Sequence, residues 1–189
     1  PTIATVTLGG DIKKKLKAIS KAGFHSIELF DTDLDRFKGS SKELNNLIKD
    51  FGLNLASYFP LRNFEGMPEE KKESVFNEAK YYLDTAKELG SEMVMICSNT
   101  NQESLPNEEK ITSDLNELAE IAKNFEIKLA YEALAWGTHV NGYRHAMQLI
   151  HDADHENLGI ALDAFHILSK QDNISQIRHI PKNKIFLVQ

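Results

Sequence analysis

The chain has 189 residues, 41% hydrophobic and 26% charged, which suits a single domain with an ample core. Its net charge of -6 argues against a nucleic-acid partner, because such binding leaves a basic footprint. One cysteine, Cys97, excludes an intrachain disulfide and any zinc site built on several thiolates; within Met93-Val-Met-Ile-Cys97 it reads as a buried structural thiol.

Strand and helix signals alternate along the chain. Residues 2–7 are β-rich, and Gly9-Gly10 leads into a helix over 11–22 with Ile12, Leu16, Ile19 and Ala22 on one face. Gly23 stops it, and Ser26–Phe30 forms the second strand. A polar loop precedes a helix over 41–51, with Ser41 as its N-cap and Gly52 behind it. The third strand spans 54–59, and a loop over 60–67 leads to a long helix over 68–89 that Gly90 closes. Residues 92–97 make the fourth strand, followed by Ser98-Asn-Thr-Asn101 and a helix over 107–124. The fifth strand is 127–132, then a helix over 142–153, the sixth strand 158–163, and a short helical stretch near 174–180. Ile185–Val188 is the seventh strand.

No stretch approaches the roughly 18 apolar residues of a membrane span. The N-terminus lacks the charged, apolar, small-residue order of a signal peptide, so a cytoplasmic protein with no membrane partner is expected. Alternating β and α signals predict parallel strands in an α/β fold. No Gly-x-Gly-x-x-Gly follows the first strand, which argues against an open nucleotide-binding sheet. The expectation is a (β/α)8 TIM barrel, truncated after about its seventh strand, with residues 1–189 as one partial barrel domain. Its open strand edges make a homo-oligomer an expectation too.

Three segments share one pattern. Residues 128–132 are a strand stopping on Glu132, residues 158–163 one stopping on Asp163, and residues 184–189 one stopping on Gln189. In a parallel barrel the C-terminal ends of successive strands face a common centre. Two carboxylates and an amide carbonyl are hard oxygen donors suited to a divalent ion such as Mg²⁺ or Mn²⁺. A helix cap or loop anchor is the ordinary reading of any one of them. His166, three residues past Asp163, is an acid/base candidate or a loop brace, and His139 ranks below it. Arg62, among apolar residues after the third strand, is either a clamp for a substrate carboxylate or the salt-bridge partner of Glu65. Asn99 and Tyr58 are candidate hydrogen-bonding contacts to substrate, and Trp136 is either a pocket wall or core.

Several segments resemble the bacterial 3-dehydroshikimate dehydratases, of the kind often followed by a 4-hydroxyphenylpyruvate-dioxygenase-like domain. They are Ile3-Ala-Thr-Val-Thr7, Gly23-Phe-His-Ser-Ile-Glu-Leu-Phe30, Phe59-Pro-Leu-Arg-Asn-Phe-Glu-Gly66, Ile96-Cys-Ser-Asn99, Tyr131-Glu-Ala-Leu-Ala-Trp-Gly137, Asn157-Leu-Gly-Ile-Ala-Leu-Asp-Ala-Phe-His166 and Lys184-Ile-Phe-Leu-Val-Gln189. That family lies within the xylose-isomerase-like barrels. The resemblance implies a lyase that dehydrates 3-dehydroshikimate to protocatechuate through an enolate, acting on a small carboxylated molecule. It implies a divalent metal ion (Mg, Mn or Co) on Glu132, Asp163 and Gln189, with a fourth ligand, a glutamate, on an eighth strand. It also implies an acid/base role for His166 and substrate-carboxylate binding by Arg62. A sugar isomerase or epimerase of the same superfamily is the alternative, and a non-catalytic fragment with a binding role is a third reading. An endonuclease fits poorly with the acidic balance.

Overall fold

The computed structural model describes all 189 residues. Seven strands lie parallel in sequence order in one sheet: β1 (Thr2–Ala4), β2 (Ser26–Phe30), β3 (Asn54–Leu61), β4 (Met93–Cys97), β5 (Lys128–Glu132), β6 (Leu158–Leu162) and β7 (Ile185–Val188). Parallel neighbours need crossover connections, and helices supply most of them. These are α1 (Ile12–Lys21), α2 (Asp31–Asp35), α3 (Ser41–Asp50), α4 (Glu69–Glu88), α5 (Glu108–Asn124), α6 (Tyr143–Ala153) and α7 (Ala164–Ser169). The result is the expected TIM-barrel wall, an uninterrupted run of seven of its eight strands. No helix is long and apolar enough to cross a membrane.

The period of two along each strand divides the core into two parts. On the helix-facing side, Ile27, Leu29, Tyr58, Val94, Ile96, Leu129, Tyr131, Leu158 and Ile160 join a large apolar cluster with the inner faces of α1 and α3–α6. On the inner side, a smaller cluster of Phe59, Met95, Cys97, Ala130 and Ala161 fills the barrel. Small residues there leave room at the C-terminal ends of the strands. Because Glu132 alternates with Tyr131, and Glu28 with Ile27 and Leu29, both carboxylates fall on that inner side.

Four local differences from the sequence reading have physical causes. The first strand ends at Ala4, and Thr5–Thr7 forms a 3₁₀ turn. There the Thr5 hydroxyl accepts from the Phe30 backbone N–H at 3.0 Å and the Thr7 hydroxyl donates to the Ala4 carbonyl at 2.7 Å, local bonds that compete with a ladder. The N-cap of α3 is Ser40, which forms a capping box with Glu43. The polar stretch after β2 holds the short helix α2, whose Asp33 is buried against Lys15 with both carboxylate oxygens at 2.8 Å. A second short helix, α7, starts directly after β6, and residues Ile174–His179 are 3₁₀.

Candidate active site

The inner face of the sheet opens at the strand C-termini into a cavity of about 910 Å³. Glu28, Arg62, Cys97, Glu132, Trp136, Asp163, His166 and Gln189 are among its lining residues. Glu132, at the end of β5, is almost fully buried. Its Oε2 accepts from the Cys97 thiol at 3.2 Å, so β4 fixes the rotamer of the β5 carboxylate. Asp163 has two duties. Its Oδ1 caps α7 by accepting from the Phe165 N–H at 2.6 Å, while Oδ2 lies 3.8 Å from His166 Nε2. The ordinary helix-cap reading and the site reading therefore hold at once, one for each oxygen. Glu132 Oε1 lies 4.0 Å from the same Nε2. One polar side-chain atom from each of Glu132, Asp163 and His166 falls within 4.8 Å of the others, and the two carboxylates among them are oxygen donors able to hold a metal ion.

The electrostatics of this group favour a cation. Burial pushes the Glu132 carboxyl up to about 7; the Cys97 hydrogen bond opposes this, and the Asp163 and Glu28 carboxylates add to it. Burial likewise raises Glu28, while hydrogen bonds from Gln189 and Ser57 pull it back. The guanidinium at the rim is already engaged: Arg62 Nη1 bonds Asp31 Oδ2 at 2.6 Å and lies over the Phe30 ring. A divalent ion fits three crowded carboxylates that no lysine or arginine neutralises.

His166 differs from the oxygen donors in one decisive respect. The Ala135 backbone N–H donates to its Nδ1 at 3.1 Å. A ring nitrogen that accepts a hydrogen bond carries no proton, so the neutral imidazole carries it on Nε2. Burial lowers the His166 pKa despite the opposing Asp163 carboxylate, which agrees with a neutral ring. Nε2–H thus faces the two carboxylates as a donor, without a lone pair for a metal. Trp136 packs edge-on against the ring with centroids 4.8 Å apart.

Gln189 lies on the same cavity, with its backbone bonded on both sides of Asp163, to the end of β6 and the start of α7: its N–H donates to Leu162 O and its carbonyl accepts from Ala164 N–H, both at 2.9 Å. Three other expected residues are not brought here. Tyr58 sits between inward-facing Ser57 and Phe59, so strand alternation turns it to the helix layer, where it stacks on Tyr82 at 4.3 Å. Asn99 is consumed in a loop: its backbone N–H donates to Glu65 Oε1 and its side chain to the Glu65 carbonyl, at 2.6 and 2.7 Å. His139 Nε2 lies 2.8 Å from the Ser104 carbonyl. Arg62 pairs with Asp31 rather than with Glu65, whose carboxyl is buried against Asn99 and Tyr131. Glu28 went unnoticed in the sequence, although a lone carboxylate among Ile27, Leu29 and Phe30 is the mark of an inward-facing position.

A family model described as xylose isomerase-like TIM barrel matches residues 16–189. The chain belongs to the xylose isomerase-like TIM barrel family. Within it, this barrel is 40% identical over its whole length to a 3-dehydroshikimate dehydratase of Pseudomonas putida, and it spans 30% of that relative's length. A solved xylose isomerase-like TIM barrel/4-hydroxyphenylpyruvate dioxygenase fusion protein superposes with a TM-score of 0.97 at 40% identity, covering all of this chain and 30% of that one. An inosose isomerase of Halalkalibacterium halodurans is 29% identical over 98% of the chain and 68% of its own length. The xylose isomerase-like barrel therefore carries dehydratases and isomerases among its named members.

Proposed function

We propose that this site binds one divalent cation through Glu132, Asp163 and Gln189 and dehydrates 3-dehydroshikimate to protocatechuate. The observation that carries the reading is the convergence of Glu132 and Asp163, with His166, inside 4.8 Å, in a chain 40% identical to a named dehydratase. When bound, the ion (Mg²⁺, Mn²⁺ or Co²⁺) supplies Lewis acidity to the substrate carbonyl. Arg62 stands at the rim of the same cavity, its Nη1 held by Asp31. Its planar fork suits the ring carboxylate and would hold the ring in one orientation. His166, as a neutral donor, gives its Nε2–H as a hydrogen bond to the substrate oxygen on which negative charge develops. Trp136 is 61% exposed and lines the mouth beside His166, where it offers a face to a flat ring. Overall, one water leaves the ring and enolisation makes it aromatic, so the reaction runs one way.

A second reading, a sugar isomerase or epimerase, has the inosose isomerase likeness in its favour. It shares the cation and the carbonyl polarisation but has no use for a carboxylate clamp. Incubation with 3-dehydroshikimate or with an inosose, with and without Mn²⁺, separates the two. Metal-dependent growth of protocatechuate absorbance is expected from the first substrate. Turnover of the inosose alone would replace the dehydratase reading with the isomerase one.

A further inference from the structure

The cation reading leaves one buried carboxylate of the cavity without a role. Glu28 comes from β2, far from Gln189 in sequence, yet its Oε2 accepts from Gln189 Nε2 at 2.7 Å and from the Ser57 hydroxyl at 3.3 Å. Glu28 is 5% exposed, so water does not compete strongly for it. An ionised carboxylate can only accept hydrogen bonds, whereas a primary amide donates at one end and accepts at the other. Only the amide oxygen can ligate a hard cation. The Gln189 backbone is fixed by hydrogen bonds to Leu162 of β6 and Ala164 of α7, and the contact with Glu28 places its side chain, so the choice that remains is which end of its amide faces which way. With the nitrogen committed to Glu28, the oxygen lies on the other branch of the amide, turned away from that carboxylate.

We propose that Glu28 is a positioning residue that fixes the Gln189 amide with its oxygen toward the Glu132–Asp163 cluster, making Gln189 an oxygen donor to the cation. The proposal rests on the cation reading above and extends it to the partner of a ligand. Such partners govern metal affinity because they set the orientation of the ligand they hold. Ser57, from the neighbouring β3, adds a second hydrogen bond to the same Glu28 oxygen and so restrains that carboxylate.

A double-mutant cycle on Mn²⁺ affinity, measured by calorimetry, tests it. Glu28→Gln and Gln189→Glu are each expected to weaken binding roughly tenfold. The first loses the acceptor-only partner, and the second sets two carboxylates against each other. The double variant E28Q/Q189E exchanges donor and acceptor and is expected to recover affinity to within about threefold of the parent. Losses that simply multiply in the double variant would overturn the proposal while leaving the cation site standing. Tighter binding by Q189E would also overturn it, since a carboxylate at 189 would then serve the ion without an amide held by Glu28. A parent chain that binds no Mn²⁺ would sink the cation reading together with this one. Should Q189E fail to fold, the side-chain amide resonances of Gln189 decide the matter. A downfield N–H signal in the parent that moves in E28Q is expected, and an unchanged signal contradicts the assignment.

Discussion

A single backbone hydrogen bond decides what His166 can do. Because Ala135 N–H donates to Nδ1, the ring presents a proton to the cavity. His166→Gln should therefore lower kcat by roughly a hundredfold or more and leave Mn²⁺ affinity nearly unchanged. Asp163→Asn and Glu132→Gln should abolish metal binding. Calorimetry on the three variants checks this, and a His166 variant that loses metal as Asp163→Asn does would refute the tautomer. Arg62→Ala should raise KM for a carboxylated ring by about ten- to a hundredfold, the strength of a charged hydrogen-bonding pair, and should barely alter KM for a neutral sugar. Parallel kinetics with the two substrates read the difference. At this scale the sequence was legible where a strand stops on a polar residue, as at Glu132 and Asp163. It was misread at Tyr58, where counting from Ser57 would have given the outward face. The His166 tautomer was beyond reach, since it depends on a backbone group 31 residues away.

The loop between β5 and α6 is the element that places this hydrogen bond. Gly137 allows its tight path: a Cβ there would lie 2.1 Å from the Val140 carbonyl oxygen and 2.6 Å from the Ser98 hydroxyl. Backbone cannot step aside as a side chain can, so Gly137→Ala should destabilise the chain by about 1–3 kcal/mol. It should also displace Ala135 from His166, and kcat should fall more than the melting temperature alone implies. The buried Lys15 ties α1 to Asp33 of α2 and to the Thr5 carbonyl beyond β1. Removing it as Lys15→Met strands the Asp33 charge and should cost about 3–5 kcal/mol in chemical denaturation. The helices α1 and α3–α6 were readable from apolar spacing and end signals. The short helices α2 and α7 were not, because five or six residues are too few to show a period. Asp31-Thr-Asp-Leu-Asp35 has the composition of a loop, and contact with Lys15 turns it into structure.

Across the whole molecule, the loops after β3 and β4 and the strand β5 itself meet at one buried carboxyl. Glu65 accepts from Asn99 N–H and from the Tyr131 hydroxyl, while its second oxygen has no partner. Burial pushes this group from 4.5 up to about 7, so the fold keeps the proton over a range where the unfolded chain releases it. Stability from Glu65 is complete below pH 4.5 and is lost as pH rises through about 7. Metal-free unfolding free energy should thus drop by roughly 2–3 kcal/mol more between pH 5 and pH 8 in the parent than in Glu65→Gln. Equal slopes in denaturant titrations would show that Glu65 is ionised in the fold. The parallel wall was readable because each strand signal is followed by a helical one without a hairpin turn. The polar hub was not: Asn63-Phe-Glu65-Gly66 looks like a surface loop, and only tertiary contact with Asn99 and Tyr131 buries it. The central claim, that Glu132, Asp163 and Gln189 hold one divalent ion, is most directly tested by Mn²⁺ titration of this chain at pH 8. One site per chain, lost in Glu132→Gln and in Asp163→Asn, is the predicted result; no binding, or binding that survives both substitutions, would contradict it.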